Sequence, residues 1–373
     1  MADLLKRILR FSSLIKVLTF ICLGGLLLAY LAPYVHPNTF KLLPFFGLAY
    51  PIIFLFTLLF LIIWSLAKSR MALVVLAVLL IGGKLHFRMI AMGSEQEIPA
   101  TSNVLHVMSY NVRLFDLYHS DPTIRFESRN KIFEYIQSEN PDVMCFQEFY
   151  HQDKPTEFKT RDTLIDFMKI KDYHERYAHK MRGRQNFGVT ILSKYRMIAK
   201  GDVMFDTQSE TDFNYCIYAD IVKGTDTFRI YNIHLQSIRL QKQDYSVFDS
   251  ETEKKPESST IRLLMDKLTI AYPKRADQAR RVMEHVVTSP YPTIVCGDFN
   301  DTPLSYTYNQ FNRVLFDAYR NTSFGIGTTY VGKVPAGRID YIFHSKELNS
   351  AEFNIQEKAY SDHRAISCKV FKK

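Results

Sequence analysis

An uncharged apolar run of 26 residues, LLPFFGLAYPIIFLFTLLFLIIWSLA at positions 42–67, most restricts how this chain can fold. An α-helix needs about 20 apolar residues to cross a bilayer, so this run can span a membrane with some tilt. A run at 17–35 has the length of one crossing, and a third run from position 71 reaches that length only if it extends to 92. We therefore predict a membrane region over 1–92 with three transmembrane helices, at 17–35, 42–67 and 71–92.

The charges that flank these runs predict their orientation, because basic residues concentrate in cytoplasmic loops. The first run is preceded by Lys6, Arg7, Arg10 and Lys16. Lys68 and Arg70 follow the second run, whereas only Lys41 marks the loop between the two. The N-terminus is therefore predicted inside, and three spans place the rest of the chain outside the cytoplasm, which is our expectation for this integral membrane protein. With two spans, and the third run lying in the interface, the rest stays inside.

The net charge is consistent with a membrane region. Nine basic and three acidic residues in positions 1–100 account for +6 of the total +9, which leaves +3 for the other 273 residues. The basic balance thus belongs mainly to the flanks of apolar runs rather than to a nucleic-acid-binding surface. A cleaved signal peptide would explain only the first run, and a buried core hairpin is the remaining alternative. The five cysteines are odd in number and lack CxxC or zinc spacing, so we predict buried free thiols.

A polar segment with Gly and Pro, at 93–103, predicts a linker. From position 104 onward, strand patterns outnumber helical ones, whereas a doubly wound parallel sheet would need a helix after nearly every strand. The predicted fold is α/β, a four-layer α/β/β/α sandwich over 104–373 in which helices flank two packed mixed sheets. The longest irregular stretch, 237–274, predicts either a mobile flap over the site or a solvated insertion.

The pattern of apolar residues also predicts several individual elements. Residues 127–140 predict an amphipathic helix closed by Asn140, and 215–222 with 228–235 predict a hairpin with Gly224 in its turn. Residues 261–272 predict a short helical piece. Residues 274–289 predict a helix with one apolar face, formed by Ala279, Val282, Met283 and Val286.

Six strand-like segments carry polar groups at or near their ends. Asn111 ends VMSYN, Glu148 ends VMCFQE, and His234 lies in IYNIHL. The other polar groups are Asp298 and Asn300 in GDFN, Asp340 in RIDYIF, and Asp362 with His363 in SDHR. Strand ends on one edge of a sandwich converge, so these groups can share one site. Carboxylate and amide oxygens suit a hard cation such as Mg²⁺ or Mn²⁺, and histidines can transfer protons or bind an oxyanion.

This ordered set of motifs resembles that of the endonuclease/exonuclease/phosphatase superfamily, a group of metal-dependent phosphoesterases that includes deoxyribonucleases, sphingomyelinases and inositol-polyphosphate phosphatases. The resemblance covers 104–373. It implies that Glu148 is the principal ligand of Mg²⁺ or Mn²⁺, with Asn111 and Asp362 close by. By the same resemblance, the catalytic residues are those that position water, contact the phosphate or transfer protons: His234, Asp298, Asn300, Asp340 and His363.

The resemblance also assigns individual tasks. Asp298 positions the attacking water, Asn300 donates to the phosphate, and Asp340 orients His363, which is a general base or phosphate contact. His234 stabilises developing charge, and it resembles the deoxyribonuclease, sphingomyelinase and phosphatase branches, since abasic-site enzymes carry Asn there. Tyr231 and Asn232 could line the pocket, although strand alternation alone would make Tyr231 a core residue. Arg184, Gln185 or Asn186 could reach substrate.

Three substrate classes stay open: a lipid head group, nucleic acid and a soluble phosphorylated metabolite. A nucleic-acid enzyme usually presents a basic face, and a surplus of +3 over 273 residues is small. Tethering to a bilayer favours a lipid phosphoester, but it also suits a surface nuclease. The contrasting interpretation is a membrane-tethered binding module with a degenerate enzyme fold. None of the six motif positions is missing, which argues against that interpretation.

Overall fold

The N-terminal part of the chain is helical in the computed structural model, which describes residues 2–100, 102–181, 184–205, 214–238, 258–332 and 337–373. Its helices are α1 (Ala2–Leu31), α2 (Leu43–Leu66), α3 (Met71–Ile81) and α4 (Gly83–Met89). Two stretches, Ser13–Leu31 and Leu43–Leu66, are long and apolar enough to cross a membrane. They correspond to the first two predicted runs.

The third predicted helix, over 71–92, differs from the structure. Helices α3 and α4 meet at an angle of 65°, so together they form either a broken span or a re-entrant segment. The break falls at Gly82 and Gly83, and glycine is about 1 kcal/mol less favourable than alanine inside a helix. Helix α4 ends at Met89, and the next residues, Ala91–Met92, form a short strand, β1. The number of spans therefore remains a prediction.

Polar side chains in the helical region bond to one another. The Trp64 indole donates to the Thr19 hydroxyl at 3.0 Å, and the Cys22 thiol lies 3.2 Å from the Thr57 hydroxyl. Tyr50 is hydrogen-bonded to His86. These hydrogen bonds satisfy polar side chains within an apolar helical region and connect its helices to one another.

The chain divides into two compact units, of which the second comprises 90–301 and 310–373. The remaining strands, all in this unit, are β2 (Leu105–Asn111), β3 (Val143–Gln152), β4 (Asp172–Met181), β5 (Gln185–Ser193), β6 (Met197–Val203), β7 (Tyr215–Lys223), β8 (Asp226–His234), β9 (Thr293–Asp298), β10 (Phe316–Asp317), β11 (Phe324–Gly325), β12 (Asp340–His344), β13 (Leu348–Ile355) and β14 (Ile366–Lys372).

These strands form two mixed sheets. In the described part of the chain, the first sheet has the order β13-β14-β2-β3-β5-β4 and the second the order β10-β12-β9-β8-β7-β6, while β1 pairs with β11 in a separate ribbon. Each sheet has one parallel pair, β2 with β3 and β8 with β9. The remaining pairs are antiparallel, so the two sheets share one pairing pattern although the sequence contains no visible repeat.

Helices cover both outer faces, which confirms the predicted four-layer sandwich. The first sheet packs against α5 (Pro122–Glu139) and α6 (Arg161–Met168) through an aromatic-rich core that includes Phe115, Phe133 and Phe146. A second core, rich in Val and Ile, lies between the sheets. Helix α5 begins five residues before the predicted start at 127, where the Asp121 side chain accepts from the Thr123 amide. It ends, as the sequence predicted, at Asn140, which has a left-handed conformation.

The helix after the irregular stretch is longer than predicted. Only 274–289 was expected to be helical beyond a short preceding piece, but α7 runs unbroken over Ser258–Val286 with Pro273 inside it. Its buried face includes the predicted Ala279, Val282, Met283 and Val286. Two further helices, α8 (Tyr306–Asn312) and α9 (Ala318–Thr322), follow. Half of the stretch predicted as a flap, 239–257, lies outside the described residues, whereas 258–274 belong to α7.

Two smaller predictions are confirmed. Strands β7 and β8 form the expected hairpin, and Gly224 in its turn has a φ of +59°. All five cysteines are free, and four of them are buried: Cys145, Cys216, Cys296 and Cys368. Burial raises the pKa of the Cys216 and Cys296 thiols well above its usual range, so these groups are unreactive core residues.

A buried polar cross-link connects the sheets beneath the strand ends. The Asn232 amide of β8 donates to the carbonyls of Phe146 and Thr190 in the opposite sheet, at 2.8 and 2.9 Å. Its oxygen accepts from the Gln147 amide at 2.7 Å. Both side chains are fully buried. Because a buried polar group is costly without partners, this set fixes how the sheets meet.

We expect Asn232→Ala to lower the free energy of unfolding by about 3 kcal/mol, because it removes the buried side chain that donates to the Phe146 and Thr190 carbonyls and accepts from the Gln147 amide. The measurement is urea unfolding of the full chain in detergent, followed by tyrosine circular dichroism. Asn354→Ala is the matched control, since the exposed Asn354 makes one bond, to Glu139; it should change stability by under about 0.5 kcal/mol. Equal losses in the two variants would contradict the cross-link.

Candidate active site

Three predicted site residues lie side by side across one sheet. Asp298, the last residue of β9, is in register with Asp340, the first residue of the antiparallel β12. On its other side Asp298 is in register with His234, the last residue of the parallel β8. Strand pairing alone therefore places these three residues in one row, at the ends of three neighbouring strands of the second sheet. All three are at most 3% exposed.

Gly297 permits this row to form. Its φ is +146°, a conformation that residues with a Cβ rarely adopt. A Cβ at this position would lie 2.0 Å from the Ile233 carbonyl oxygen of β8. The glycine of GDFN therefore allows the close approach of β8 and β9 immediately before their two polar ends.

Glu148 reaches the site from a bulge rather than from a strand end. The sequence predicted that its strand stops there, but β3 continues to Gln152. The register of β3 against β5 shifts between Phe146 and Phe149, and Glu148 has a φ of +50°. A bulge re-aims a side chain. Here it turns Glu148, which is 34% exposed, out of the core to 3.9 Å from the His234 Nε2 atom.

Asn111 and Asn300 both bind to Asp298. The Asn111 amide, at the end of β2 in the first sheet, donates to Asp298 Oδ2 at 3.0 Å. The Asn300 backbone N–H donates to the other oxygen, Oδ1, at 2.8 Å. Asn300 has a φ of +54°, and its side-chain amide donates to the Leu235 carbonyl at 3.1 Å. In this structure Asn300 therefore holds the Asp298 loop, and its amide is engaged with the backbone.

His363 forms a buried pair with Asp340. Its Nδ1 atom lies 3.0 Å and 3.1 Å from the two Asp340 oxygens, and its Nε2 atom is 3.7 Å from Asp298 Oδ2. The Thr329 hydroxyl accepts from the Asp340 backbone N–H at 3.1 Å. The Tyr330 ring meets the imidazole edge-on at 5.0 Å, and the two residues also form a β-bridge. The position of the ring is thus fixed from several sides.

Burial and neighbouring charges shift the pKa values in this cluster. Burial raises the pKa of the Asp340 carboxyl, and the nearby Asp298 charge adds to this, although His363 opposes it. Loss of water around the Glu148 carboxyl likewise raises its pKa, although a third of the side chain stays exposed. For His363, burial disfavours the charged ring, but Asp340 and Asp298 outweigh that effect and hold its pKa well above the usual range. The site therefore concentrates negative charge that a cation can neutralise.

Asp362 lies beside a left-handed turn. Its Oδ1 atom accepts from the Ser361 hydroxyl at 3.2 Å, and its Oδ2 atom is 3.7 Å from Arg113 Nε. The residues from Arg113 to Asp116 all have positive φ, which is rare for consecutive residues because of the clash with Cβ. The fully buried Phe115 ring anchors the turn, 5.3 Å from the Phe149 ring. Arg113 and Asp362 line a cleft of about 550 Å³.

Among the histidine, cysteine and acidic side chains of the described residues, Asp298, Asp340 and His363 form a group that could hold a metal ion, with one ligand atom of each within 4.8 Å of the others. These are residues assigned to catalysis from the sequence, not the predicted ligands Asn111, Glu148 and Asp362. The Asn111 oxygen accepts from the Arg113 backbone N–H at 3.0 Å. All eight predicted residues lie at the same end of the sandwich, and their division between metal binding and catalysis remains a prediction.

The structure also places the five residues that the sequence suggested as pocket or substrate contacts. Asn232 does not line the pocket, because it is fully buried between the sheets, and Tyr231 is equally buried with its hydroxyl 2.8 Å from His285 Nδ1. Arg184 and Gln185 line a separate cleft of about 390 Å³. Asn186 is buried and donates to the Asp153 carboxylate at 3.1 Å.

Sequence reasoning missed the residues that support the site from behind. Gln147 precedes Glu148 in the FQE motif, and its position within that motif was the available signal. Thr329 and Ser361 gave no signal, since a hydroxyl side chain in a loop is common. In the structure the Ser361 hydroxyl donates to the Asn111 carbonyl at 2.9 Å, which connects the SDHR segment to β2.

Comparison with known families agrees with this geometry. The Endonuclease/Exonuclease/phosphatase family matches residues 108–363, which include all eight candidate residues. The chain belongs to this family. It is therefore a hydrolase acting on phosphoester bonds, and the family depends on divalent metal ions. The helical residues 12–89 match a second family, described only as a domain of unknown function. Among curated proteins, no relative of the chain was found.

Solved structures share the fold at low sequence identity. A family member from Bacteroides thetaiotaomicron is 17% identical with a TM-score of 0.52, covering 73% of this chain and 99% of its own. A member from Leptotrichia buccalis is 18% identical with a TM-score of 0.51, covering 71% and 99%. The human Nocturnin catalytic domain, solved with a bound sulfate anion, is 18% identical with a TM-score of 0.48, covering 74% and 100%. The first two establish the sandwich fold.

We expect Asp340→Asn to lower kcat by about 10²–10⁴-fold with little change in KM, because the amide cannot hold the His363 ring as the carboxylate does. The measurement is hydrolysis of bis(p-nitrophenyl) phosphate by the detergent-solubilised chain. Asp226→Asn is the control, since Asp226 begins β8 at the opposite end from His234 and pairs with Lys372. A variant with wild-type kcat would remove Asp340 from the catalytic cluster.

Proposed function

We propose that the chain is a membrane-anchored phosphoesterase that uses Mg²⁺ or Mn²⁺ to hydrolyse a phosphodiester, or a phosphomonoester, by water attack. One observation carries the proposal: Asp298 lies among polar groups from both sheets. It is in register with Asp340 and His234, accepts from Asn111, and lies 3.7 Å from His363. Clusters of buried acids and imidazoles are typical of functional sites, which supports the proposal.

The residues present fit a hard divalent cation. Carboxylate and amide oxygens are the preferred donors for Mg²⁺, and Glu148, Asn111 and Asp362 offer such oxygens beside the buried Asp298, Asp340 and His363 group. When bound, the cation would neutralise the phosphate and favour attack by water. In this assignment Glu148 is the principal metal ligand, and Asn111 and Asp362 lie near it.

The protein groups have distinct tasks in this proposal. Asp298 holds the attacking water and is itself fixed by the Asn111 amide and the Asn300 N–H. Asp340 fixes the His363 ring through Nδ1, which leaves Nε2 directed towards Asp298 and the phosphate. His234, on the other side of Asp298, stabilises charge on the phosphoryl group or the leaving oxygen. Either Asp298 or His363 can accept the water proton.

The substrate is proposed to be a lipid head group or nucleic acid. Two apolar helices long enough to cross a membrane would hold the site close to a bilayer, which supports the lipid class. The other class, nucleic acid, is supported by membership of a family that includes nucleases. A substrate panel of sphingomyelin-like lipid, phosphoinositide, and single- and double-stranded DNA, assayed on the detergent-solubilised chain, distinguishes them. Turnover of none of them would favour a soluble phosphorylated metabolite.

We expect EDTA to abolish hydrolysis of bis(p-nitrophenyl) phosphate and Mg²⁺ or Mn²⁺ to restore it. Glu148→Gln and His363→Ala should each lower kcat/KM by about 10²-fold or more, since they remove a metal ligand and a proton-transfer group. The controls are Glu127→Gln, a surface carboxylate paired with Lys131, and His119→Ala, an exposed imidazole. Normal rates in the two site variants would favour the membrane-tethered binding module.

We expect the catalytic unit to lie outside the cytoplasm, because three crossings starting from a basic N-terminus inside end outside. Alkaline phosphatase fused after residue 373 should then be active in intact bacterial cells, and a fluorescent protein fused at the same position should be dark. The reverse pattern would show that only two segments cross and that 71–89 lies in the interface.

A further inference from the structure

The ribbon formed by β1 and β11 presents apolar side chains on one face. Met92 is directly opposite Phe324, and opposite residues of an antiparallel pair point to the same side. Met92 is 63% exposed and Phe324 is 75% exposed. Ile326, two residues after Phe324, is 56% exposed. These three side chains form what we call the ribbon face.

The orientation of the ribbon is fixed by its other face. Ala91 is fully buried, and the Tyr319 hydroxyl donates to the Phe324 carbonyl at 3.1 Å. Gly325 has a φ of +105°, and a Cβ there would lie 3.7 Å from the same hydroxyl. The Gly93 backbone N–H donates to the Ser323 carbonyl at 2.9 Å. The ribbon therefore cannot turn its apolar side chains inward without losing these contacts.

The composition of the ribbon indicates an apolar partner. Single exposed apolar residues are common on protein surfaces, whereas a contiguous set marks an interaction site. Residues 90–93 (IAMG) and 323–327 (SFGIG) contain no charged side chain. Electrostatic recognition by these residues is excluded, and what they can offer is burial of the Met, Phe and Ile side chains.

We infer that the ribbon face rests in the interface of a lipid bilayer, an inference that depends on the membrane anchoring proposed above. The chain itself supports this occupant, since β1 begins at Ala91, two residues after α4 ends at Met89. Helices α3 and α4 together are long and apolar enough to form a broken span. Helix α4 carries Lys84 and Arg88, whose long side chains can reach the lipid–water interface, and only the apolar Met89 and Ile90 separate Arg88 from the ribbon.

The same segment supports the catalytic pair. Thr329, which accepts from the Asp340 N–H, follows Ile326 by three residues. Three residues of chain span at most about 10 Å. Tyr330, the next residue, packs against His363. Contact of the ribbon face with lipid would therefore hold the Asp340–His363 pair near the bilayer surface.

The test is the depth of single labels in the full chain, reconstituted in phosphatidylcholine vesicles. Phe324→Cys, Ile326→Cys and Met92→Cys each carry an environment-sensitive fluorophore, and lipids bearing a nitroxide quench it. Leu59→Cys, on an exposed position of α2, is the membrane control, and Val287→Cys, 62% exposed after α7, is the matched surface control. The ribbon positions should be quenched at least roughly threefold more than position 287.

Each outcome has one meaning. Quenching at 59 but only control-level quenching at all three ribbon positions would overturn the inference and leave the anchoring intact. Lack of quenching at 59 would overturn both. Ribbon labels that respond to protein concentration but not to nitroxide lipid would assign the face to a second copy of the chain, which also contradicts it. Hydrolysis of bis(p-nitrophenyl) phosphate, measured on the same samples, tests the enzymatic proposal separately.

Discussion

The site is organised by the need to satisfy one buried carboxylate. Asp298 is 1% exposed and has another carboxylate, Asp340, directly opposite it. Burying such a charge is costly unless donors surround it. The Asn111 amide and the Asn300 N–H each take one oxygen, and two imidazoles lie within 3.7 Å. Because these two donors and two imidazoles come from four different segments, the same requirement brings distant parts of the chain together.

Backbone strain is concentrated around this carboxylate. Glu148 and Asn300 both have φ near +50°, and the turn after Asn111 has four consecutive residues with positive φ. Such conformations persist only where surrounding structure enforces them, and they cluster at functional sites. Here the enforcing contacts are visible: a register shift beside Glu148, the Leu235 carbonyl for Asn300, and the buried Phe115 ring for the turn. The strands place these residues at the site, and the strained backbone conformations set the directions in which the side chains point.

The sequence predicted the sandwich and the convergence of the polar groups because both follow from strand pattern and motif order. Asp298, Asp340 and His234 occupy strand ends, where a pattern of apolar residues stops visibly. Glu148 was placed at a strand end for the same reason, but a bulge has no signature in the order of apolar residues, so the continuation of β3 to Gln152 was missed. The predicted helix boundary at Pro273 was wrong, because a proline usually ends a helix but α7 continues through it.

Contacts between elements were beyond prediction. Nothing in FQE or IYNIHL shows that Gln147 and Asn232 meet across two sheets, because that depends on how far apart the sheets lie and on their relative angle. The role of Thr329 depends on a segment that folds back to Asp340 from eleven residues away. The break between α3 and α4 could have been predicted, since two adjacent glycines, Gly82 and Gly83, interrupt the apolar run.

Helix α7 also has a consequence for how such an enzyme can diversify. The Arg275 guanidinium donates to the Gln236 carbonyl at 2.6 Å, and the Gln278 side chain accepts from the Gln236 N–H at 2.8 Å. These two bonds fix the backbone at Gln236, two residues after His234 and before residues 239–257. Insertions or deletions beyond that point would leave the imidazole where it is. Evolution can therefore vary length and chemistry in that stretch without disturbing the hydrolytic residues.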